Sequence, residues 1–322
     1  MAVTPSPELT LGPVFFNWHA EKWRDFYFRI ADEVPFSTVY LGETICSKRT
    51  PLFDHVMPLV IERLRAAGKI VVISTLAEVT SDKDRKCVET VCDGEGFTIE
   101  ANDASALRAL RGRAHHIGPF INAYNEVTLS FLANNGAQNI CLPPEMPETA
   151  IQALCANTNL RKTSIEVIVF GRLPLALSAR CYHARAHGRT KDSCQFVCED
   201  DPDGLNLTTL SGQNFLSVNG IQTLSYEYLN LANDLTRLRE HGVSRFRLSP
   251  HTCDMVQAAK IFRRILDGDL DGAEAISQLR AILPQSKFCN GFYHRKPGHR
   301  WIEAPPPESE NSAMMRDTTA LA

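Results

Sequence analysis

No apolar run in the sequence approaches the ~20 residues that a membrane-spanning helix needs. The longest apolar stretch, residues 165–177, is interrupted by Glu166, Arg172 and Pro174. The first residues, Met1-Ala-Val-Thr-Pro-Ser-Pro-Glu, show neither the basic region nor the apolar region of a signal peptide. We therefore expect a cytoplasmic protein, and structural disulfides are rare in that compartment.

The sequence also has little excess charge and no dinucleotide-binding fingerprint. Its net charge of −3 gives no electrostatic reason to expect a nucleic-acid or membrane-surface protein. Gly94-Glu-Gly96 precedes a predicted strand, whereas the glycines of a dinucleotide-binding turn follow one. The 322 residues, 44% hydrophobic and 22% charged, are typical of a globular chain of one large domain or two ordinary ones.

Cysteine, in contrast, is concentrated in one segment. Cys181, Cys194 and Cys198 fall within eighteen residues, spaced Cys-x12-Cys-x3-Cys, and the chain has ten cysteines in all. Thiolates bind zinc or iron–sulfur clusters, and both usually need four ligands, so the fourth must come from elsewhere. Many basic residues in the same segment make it a poor core but suit an anionic metal–thiolate centre, because positive charge lowers a thiol pKa.

Other interpretations of these cysteines stay open at this point. Cys194 and Cys198 could form a disulfide, or the three could be unrelated buried thiols. The spacing does not separate iron–sulfur from zinc, although Cys-x3-Cys lacks the tighter Cys-x2-Cys of most zinc knuckles.

Short apolar segments alternate with helical patterns along most of the chain. Eight predicted strands cover residues 11–16, 39–42, 70–74, 97–100, 116–121, 139–143, 166–171 and 246–249. This alternation predicts a (β/α)8 barrel of the TIM type, possibly distorted, with a doubly wound open sheet as the runner-up.

The barrel prediction fixes the domain limits. We expect a single domain over residues 10–302, a loose tail over 1–9 and a disordered, proline-rich tail over 303–322. Residues 172–224 break the regularity and predict a cysteine-bearing insertion with a hairpin or two. Asn125 is expected to cap one helix, and Tyr228, Leu231, Leu235 and Leu238 have the spacing of another.

The barrel also brings cysteines together. Active sites of such barrels form from loops at the carboxyl ends of the strands. Cys46 follows the second strand and the cysteine segment follows the seventh, so both lie on that face. Cys253 and Cys289 are the only rivals to Cys46 as fourth ligand. The remaining cysteines, Cys87, Cys92, Cys141 and Cys155, are interpreted as packing residues, because free cysteine packs as a small hydrophobe.

Several polar residues fall at or just past carboxyl ends of strands, where they could reach a barrel mouth. They are Glu43, Glu78, Glu100, Asn122 and His251. Most such groups are loop-side polar residues with ordinary hydrogen-bond partners. The sequence does not say which of them touches a substrate, and the catalytic residues stay unknown.

The motifs around these cysteines resemble the UbiV family, a branch of the collagenase-like peptidase class, peptidase family U-32. The similar segments are Tyr40-Leu-Gly-Glu-Thr-Ile-Cys-Ser-Lys-Arg49, Leu173-Pro-Leu-Ala-Leu-Ser-Ala-Arg-Cys181 with the spacing to Cys194 and Cys198, Val218-Asn-Gly-Ile-Gln-Thr-Leu-Ser225, Arg247-Leu-Ser-Pro250 and Cys289-Asn-Gly-Phe-Tyr293. The similarity runs from about Leu11 to Tyr293.

The resemblance implies a [4Fe-4S] cluster bound by Cys46, Cys181, Cys194 and Cys198. It implies a heterodimer with the related UbiU protein and a lipid-binding partner, UbiT. It further implies a role in oxygen-independent ubiquinone biosynthesis, in which ring hydroxylation of a ubiquinone precursor takes its oxygen from prephenate. Whether this subunit carries the hydroxylation itself is not implied.

Two alternative functions remain at the sequence level. A closed four-cysteine site could be structural zinc in a binding protein without a redox role. A peptidase would fit the name of the class, but neither Cys181 with His183 nor Cys194 with His187 is a convincing nucleophile–base pair, since a cluster would consume both thiols.

Overall fold

The computed structural model of the protein describes residues 6–157, 160 and 162–303. Most of both predicted tails, residues 1–5 and 304–322, lies outside the described residues. In the part of the chain that is described, no helix combines the length and apolar character needed to cross a membrane.

The strands and helices are numbered in chain order. The strands are β1 (Glu8–Leu11), β2 (Thr38–Leu41), β3 (Ile70–Ser74), β4 (Thr98–Ala101), β5 (His115–Ile117), β6 (Ala137–Cys141), β7 (Ser164–Leu177), β8 (Leu205–Thr208), β9 (Asn214–Asn219), β10 (Gln222–Asn230), β11 (Arg245–Leu248) and β12 (Phe288–Cys289). The helices are α1 (Ala20–Glu33), α2 (Thr50–Phe53), α3 (Met57–Ala66), α4 (Asp82–Asp93), α5 (Ala104–Ala109), α6 (Glu126–Asn134), α7 (Glu148–Cys155), α8 (Tyr182–Ala186), α9 (Leu235–Glu240), α10 (Met255–Asp267) and α11 (Gly272–Ile282).

Eight strands close into a parallel barrel in the order β1 to β7 and then β11. Each pairs with the next, and β11 completes the ring by pairing in parallel with both β7 and β1. At this closure Thr10 lies opposite Arg247 on one side and Thr38 on the other. The predicted (β/α)8 fold is therefore confirmed, and the open sheet is wrong because its two edges are hydrogen-bonded to each other.

The barrel strands consist mainly of apolar residues because parallel strands are covered on both faces. Val39, Tyr40 and Leu41 of β2 are all fully buried. The helices pack their apolar sides on the outside of the barrel, as Tyr27 and Ile30 of α1 do. Asn125 caps α6 as predicted, accepting the backbone N–H of Thr128 at 2.8 Å.

The inside of the barrel carries an ion-pair network where aliphatic side chains usually dominate. Arg247 Nη2 donates to Glu100 Oε1 at 2.7 Å and to Glu166 Oε2 at 2.5 Å. Glu166 Oε2 also accepts from Tyr40 at 3.2 Å and from Asn139 at 2.9 Å. In the sequence, the signal for this network is the presence of charged residues, such as Glu166 and Arg247, in otherwise apolar strands.

The region predicted as an insertion is a small antiparallel sheet that continues from the barrel. Strand β7 is 14 residues long, and its second half leaves the barrel and pairs antiparallel with β10. Strands β9 and β8 extend this sheet as successive antiparallel neighbours, and β12 pairs in parallel with β10. The expected hairpins are present, but the sheet reaches Asn230, beyond the predicted limit of 224.

Two sequence-based boundaries are corrected by the structure. The first strand is Glu8–Leu11 and not residues 11–16, so residues 8 and 9 belong to the barrel and not to a tail. Tyr228 lies in β10, and the helix predicted from it begins only at Leu235. The apolar spacing of Tyr228 and Leu231 suits a helix, but pairing with β7 and β12 holds this segment extended.

Candidate metal centre

The loop after β2 carries Cys46, and the buried carboxylate of Glu43 holds its backbone in place. Glu43 Oε1 accepts the backbone N–H groups of Ile45 at 2.7 Å and Cys46 at 2.9 Å. Burial raises the pKa of Glu43, while Arg49 and these N–H donors oppose the rise. The carboxylate therefore fixes the turn that carries the cysteine.

The cysteine segment follows β7 and carries its three thiols on short local structures. Cys181 caps α8, and its Sγ accepts the Ala184 N–H at 3.4 Å. The carbonyl of Cys194 accepts Arg189 Nη1 at 3.1 Å. Cys198 is buried in a 3-10 turn, Val197–Glu199. Hydrogen bonds to the segment's own backbone thus hold these positions.

The loop after β2 and the cysteine segment meet at the carboxyl-terminal mouth of the barrel, as their places in the chain predicted. Lys48 Nζ donates to the carbonyl of Lys191 at 2.7 Å and lies 3.3 Å from Asp192. Cys198 is close enough to interact electrostatically with both Cys46 and Cys181. Cys181 interacts in the same way with Cys194. The loop after β2 and the cysteine segment are therefore neighbours, and the binding of one metal centre by all four cysteines stays a prediction.

A buried arginine lies among these thiols. Arg49 is 1% exposed; its Nη1 donates to the Phe15 carbonyl at 2.8 Å and its Nη2 to Asn219 Oδ1 at 2.9 Å. Its Nε is buried and has no hydrogen-bond partner among the described residues. Burial would lower the pKa of Arg49, but its interactions with Cys198, Glu43 and Cys46 raise it. The guanidinium thus supplies a positive charge and a spare N–H beside the cysteines.

Two of the candidate thiols ionise less readily than a free cysteine. Burial raises the pKa of the Cys46 and Cys181 thiols, and Arg49 opposes the rise without reversing it. A bound metal displaces thiol protons, and a nearby buried cation offsets the charge of the resulting thiolates. The donor set of four cysteines with Arg49 therefore fits an anionic metal–thiolate centre.

The described residues contain one close group of potential metal ligands, and it does not consist of cysteines. Within the described ranges, no three cysteine sulfurs lie within 4.8 Å of one another. The group that does meet this limit is His183, His187 and Asp201, in which His183 Nε2 and Asp201 Oδ2 are 2.9 Å apart.

The rivals of Cys46 have different surroundings. Cys253 Sγ lies 3.6 Å from Met255 Sδ, and burial raises the pKa of this thiol to about 12. Cys289 is fully buried in the main core. The cysteines interpreted as packing residues also contact that core: Cys92 and Cys141 are buried in it, and Cys87 and Cys155 pack against it.

The five polar residues predicted at the barrel mouth lie in different environments. Glu100 is in the barrel network, and Glu43 shapes the Cys46 loop. His251 is locked, because its Nε2 accepts the Arg172 N–H at 3.0 Å and its Nδ1 faces Asp203 at 3.3 Å. Two further groups are less engaged. Asn122 is exposed, and Glu78 is half-buried with an Oε2 that has no hydrogen-bond partner among the described residues.

Sequence reasoning missed Arg49 as part of the site. It occurs in the quoted motif as Cys46-x-x-Arg49, but a basic residue beside a cysteine is ordinarily solvated, so burial could not be inferred from the motif. Asn219, its hydrogen-bond partner, is 170 residues away and could be placed only by the fold.

A family comparison identifies the kind of chain that carries this arrangement. Residues 18–303 match the model of peptidase family U32. The chain belongs to peptidase family U32. The matched range includes all four candidate ligands.

Solved structures with a similar chain path are distant relatives at most. A tryptophan synthase complex from Pyrococcus furiosus is 12% identical over 85% of this chain and 97% of that chain, with a TM-score of 0.40. A putative fructose-1,6-biphosphate aldolase from Coccidioides immitis is 12% identical over 86% and 87%, with a TM-score of 0.39. A phospho-2-dehydro-3-deoxyheptonate aldolase from Thermotoga maritima is 11% identical over 88% and 72%, with a TM-score of 0.39.

Proposed function

We propose that this U32 chain is a UbiV-type iron–sulfur subunit for oxygen-independent hydroxylation in ubiquinone biosynthesis. In this proposal Cys46, Cys181, Cys194 and Cys198 bind a [4Fe-4S] cluster. The chain acts with UbiU, a lipid-binding UbiT protein presents the ubiquinone precursor, and prephenate supplies the oxygen. The UbiV-type motifs support the pathway, and the arrangement of thiols supports the cofactor.

The observation that carries the cofactor proposal is the buried guanidinium of Arg49 beside Cys46, Cys181 and Cys198. An isolated charge is costly to bury, so a cation with 1% exposure needs negative charge near it. Glu43 supplies part of it, at 4.0 Å. Thiolates of a metal centre would supply the rest, and the unpartnered Nε of Arg49 could donate to one of them. The cluster would bring electron-transfer or Lewis-acid chemistry to the barrel mouth.

A peptidase is the second candidate, because the family itself carries that name. A cysteine peptidase needs a thiol whose pKa is lowered by an adjacent base. Here burial raises the pKa of Cys181, which is the opposite of what an activated nucleophile needs. This direction counts against Cys181 as the nucleophile of a peptidase. Hydrolysis of casein that disappears in a Cys181→Ala variant would reverse this preference.

The deciding experiment is metal and sulfide analysis after purification without oxygen. We expect about four irons and four acid-labile sulfides per chain, with broad visible absorption. Cys46→Ala should abolish this absorption, whereas Cys253→Ala, the matched control, should leave it nearly intact. One zinc per chain without sulfide would instead favour a structural zinc site. Loss of absorption only in Cys253→Ala would assign the fourth ligand to the loop after β11.

A further inference from the structure

Two histidines of the cysteine segment form a close group with an aspartate in the turn that follows it. One ring nitrogen each of His183 and His187 and one carboxylate oxygen of Asp201 all lie within 4.8 Å of one another. His183 Nε2 and Asp201 Oδ2 are 2.9 Å apart. Zinc bonds to nitrogen and oxygen of about 2.0–2.2 Å put neighbouring ligand atoms roughly 3–3.4 Å apart. The three side chains therefore need only a small movement to bind one ion.

The spacing of the two histidines comes from a helix. His183 lies in α8, and His187 ends this helix four residues later, so their side chains project from the same face. The two rings are nearly parallel, with an interplanar angle of 10° and centroids 5.6 Å apart. Histidines at positions i and i+4 on one face of a helix are a common arrangement for binding zinc.

The backbones that carry these ligands are held by contacts of their own. The backbone N–H of His183 donates to the Gly220 carbonyl at 3.3 Å, which ties α8 to the turn between β9 and β10. The Asp201 carbonyl accepts the Gly204 N–H at 2.9 Å, which closes the turn that carries the carboxylate. Both halves of the group are thus positioned before any ion binds, as a binding site requires.

Within the described chain, the buried histidine has one hydrogen-bond partner and one unused nitrogen. His183 is fully buried, and its Nδ1 has no partner among the described residues, although buried polar atoms usually have one. Its Nε2 can face a carboxylate oxygen at 2.9 Å only with a proton or a cation between them. His187 is exposed and Asp201 partly exposed, so an ion can enter from solvent.

We propose that His183, His187 and Asp201 bind one Zn²⁺ ion at a site separate from the thiolate centre. Imidazole ligands suit zinc, whereas Mg²⁺ and Ca²⁺ prefer sites made of oxygen alone. Three protein ligands leave a fourth position for water or a small anion, as in catalytic zinc sites, whereas structural zinc sites are closed. The site does not depend on the proposed function, because none of its three ligands is a cysteine.

The test is calorimetric titration with Zn²⁺ of the protein purified without oxygen, with any bound iron left in place. We expect one tight site for which excess Mg²⁺ does not compete. His187→Ala should weaken zinc binding by about tenfold or more, because losing even an outer partner of a metal ligand costs that much. Asp201→Asn, which keeps the size of the side chain but not its charge, should act in the same direction. The matched control is His55→Ala, an exposed histidine between α2 and α3, which should leave zinc binding unchanged.

X-ray absorption at the zinc edge identifies the ligands of the bound ion. Nitrogen and oxygen neighbours at about 2.0–2.2 Å would support the site. Sulfur neighbours at about 2.3 Å would place the zinc on cysteines and overturn the proposal. Equal zinc affinity in His187→Ala and the unchanged protein would overturn it as well. Because His187 is exposed, its replacement should leave the melting temperature unchanged, so a lost site cannot be attributed to unfolding.

Iron and acid-labile sulfide, measured on each variant, distinguish this site from the proposed cluster. Both should be the same in His187→Ala as in the unchanged protein. Loss of iron together with zinc in this variant would show that the histidines support the thiolate centre and form no separate site. Zinc bound by nitrogen and oxygen in a protein without iron would uphold the site while refuting the iron–sulfur proposal.

Discussion

Arg49 places a positive charge in a part of the molecule that water hardly reaches. Its hydrogen bonds reach Phe15 after β1 and Asn219 at the end of β9, while its own loop carries Cys46. One side chain therefore connects a loop of the barrel to the sheet that flanks the cysteine segment. A residue with this position affects both the folding of the mouth and the ionisation of the thiols.

Replacement of Arg49 should lower metal retention. In the proposed centre, Arg49→Gln removes the buried counter-charge of the thiolates and the partner of Glu43. We therefore expect reduced iron and sulfide per chain and a loss of about 3 kcal/mol in the free energy of unfolding. Iron analysis and denaturant unfolding measure the two effects. Arg49→Lys, which keeps the charge, should retain more iron than Arg49→Gln. Full iron content in Arg49→Gln would contradict this role.

The hairpin of β9 and β10 meets Arg49 at its turn, and a glycine makes the contact possible. Gly220 has φ +61°, and a Cβ there would lie 2.8 Å from Arg49 Nη2. The backbone also needs the left-handed conformation, which costs a non-glycine residue about 1–2 kcal/mol. A side chain at this turn would therefore press on the arginine that lies beside the candidate ligands.

A pair of glycine variants separates these two costs. Gly212, in the turn between β8 and β9, has φ +79°, and no atom from elsewhere in the described chain lies within 4 Å of where a Cβ would be. Gly212→Ala should therefore show only the backbone cost, a small fall in melting temperature with unchanged visible absorption. Gly220→Ala should melt at a lower temperature than Gly212→Ala and lose part of its absorption. Identical behaviour of the two variants would show that the Arg49 contact is unimportant.

Sequence reasoning worked best for elements whose burial is uniform. The barrel strands could be predicted as short apolar runs because both faces of each strand are covered. The proximity of the Cys46 loop to the cysteine segment could be predicted from barrel geometry alone. Tyr228 was misplaced because its apolar spacing suits a helix as well as a strand. The pairing that decides between the two comes from β7 and β12, which are distant in the chain. Arg49 was missed for the same reason, since its partners are assembled only by the fold.

On the scale of the whole molecule, the barrel depends on charges enclosed in its centre. Arg247 of β11 joins Glu100 of β4 and Glu166 of β7, all with side chains at most 2% exposed. Burial alone would raise the pKa of Glu166, but Arg247 and Arg245 outweigh it and lower this pKa to about 2. The ion pairs therefore connect strands across the barrel, and the contribution of Glu166 to stability requires its carboxylate to stay ionised.

This network predicts a specific loss of stability in acid. Because the folded-state pKa of Glu166 lies below the unfolded value of about 4.3, its contribution is complete above that pH and disappears as the pH falls towards 2. The shift corresponds to roughly 3 kcal/mol. Glu166→Gln should be less stable at pH 6 yet lose less stability between pH 5 and pH 3. Melting temperatures across this range would measure it, with exposed Glu95→Gln as the control. Parallel curves for Glu166→Gln and the unchanged protein would count against the network.

The proposed pairing with UbiU predicts a soluble hetero-oligomer whose assembly brings the substrate to the cluster. A ubiquinone precursor carries a long isoprenoid tail and dissolves poorly, so in this proposal a lipid-binding partner delivers it. Co-expression with UbiU, followed by size-exclusion chromatography without oxygen, should give one co-eluting complex. A closed barrel of this size could equally be a free-standing monomer. Separate monomer-sized peaks, together with quinone production in cells that lack the partner, would refute an obligate pair.

Cys181 caps α8, and the backbone N–H of His183 in this helix donates to the Gly220 carbonyl at 3.3 Å. If the cluster also holds this segment in shape for the partner, Cys181→Ala should abolish co-elution while the barrel still melts cooperatively.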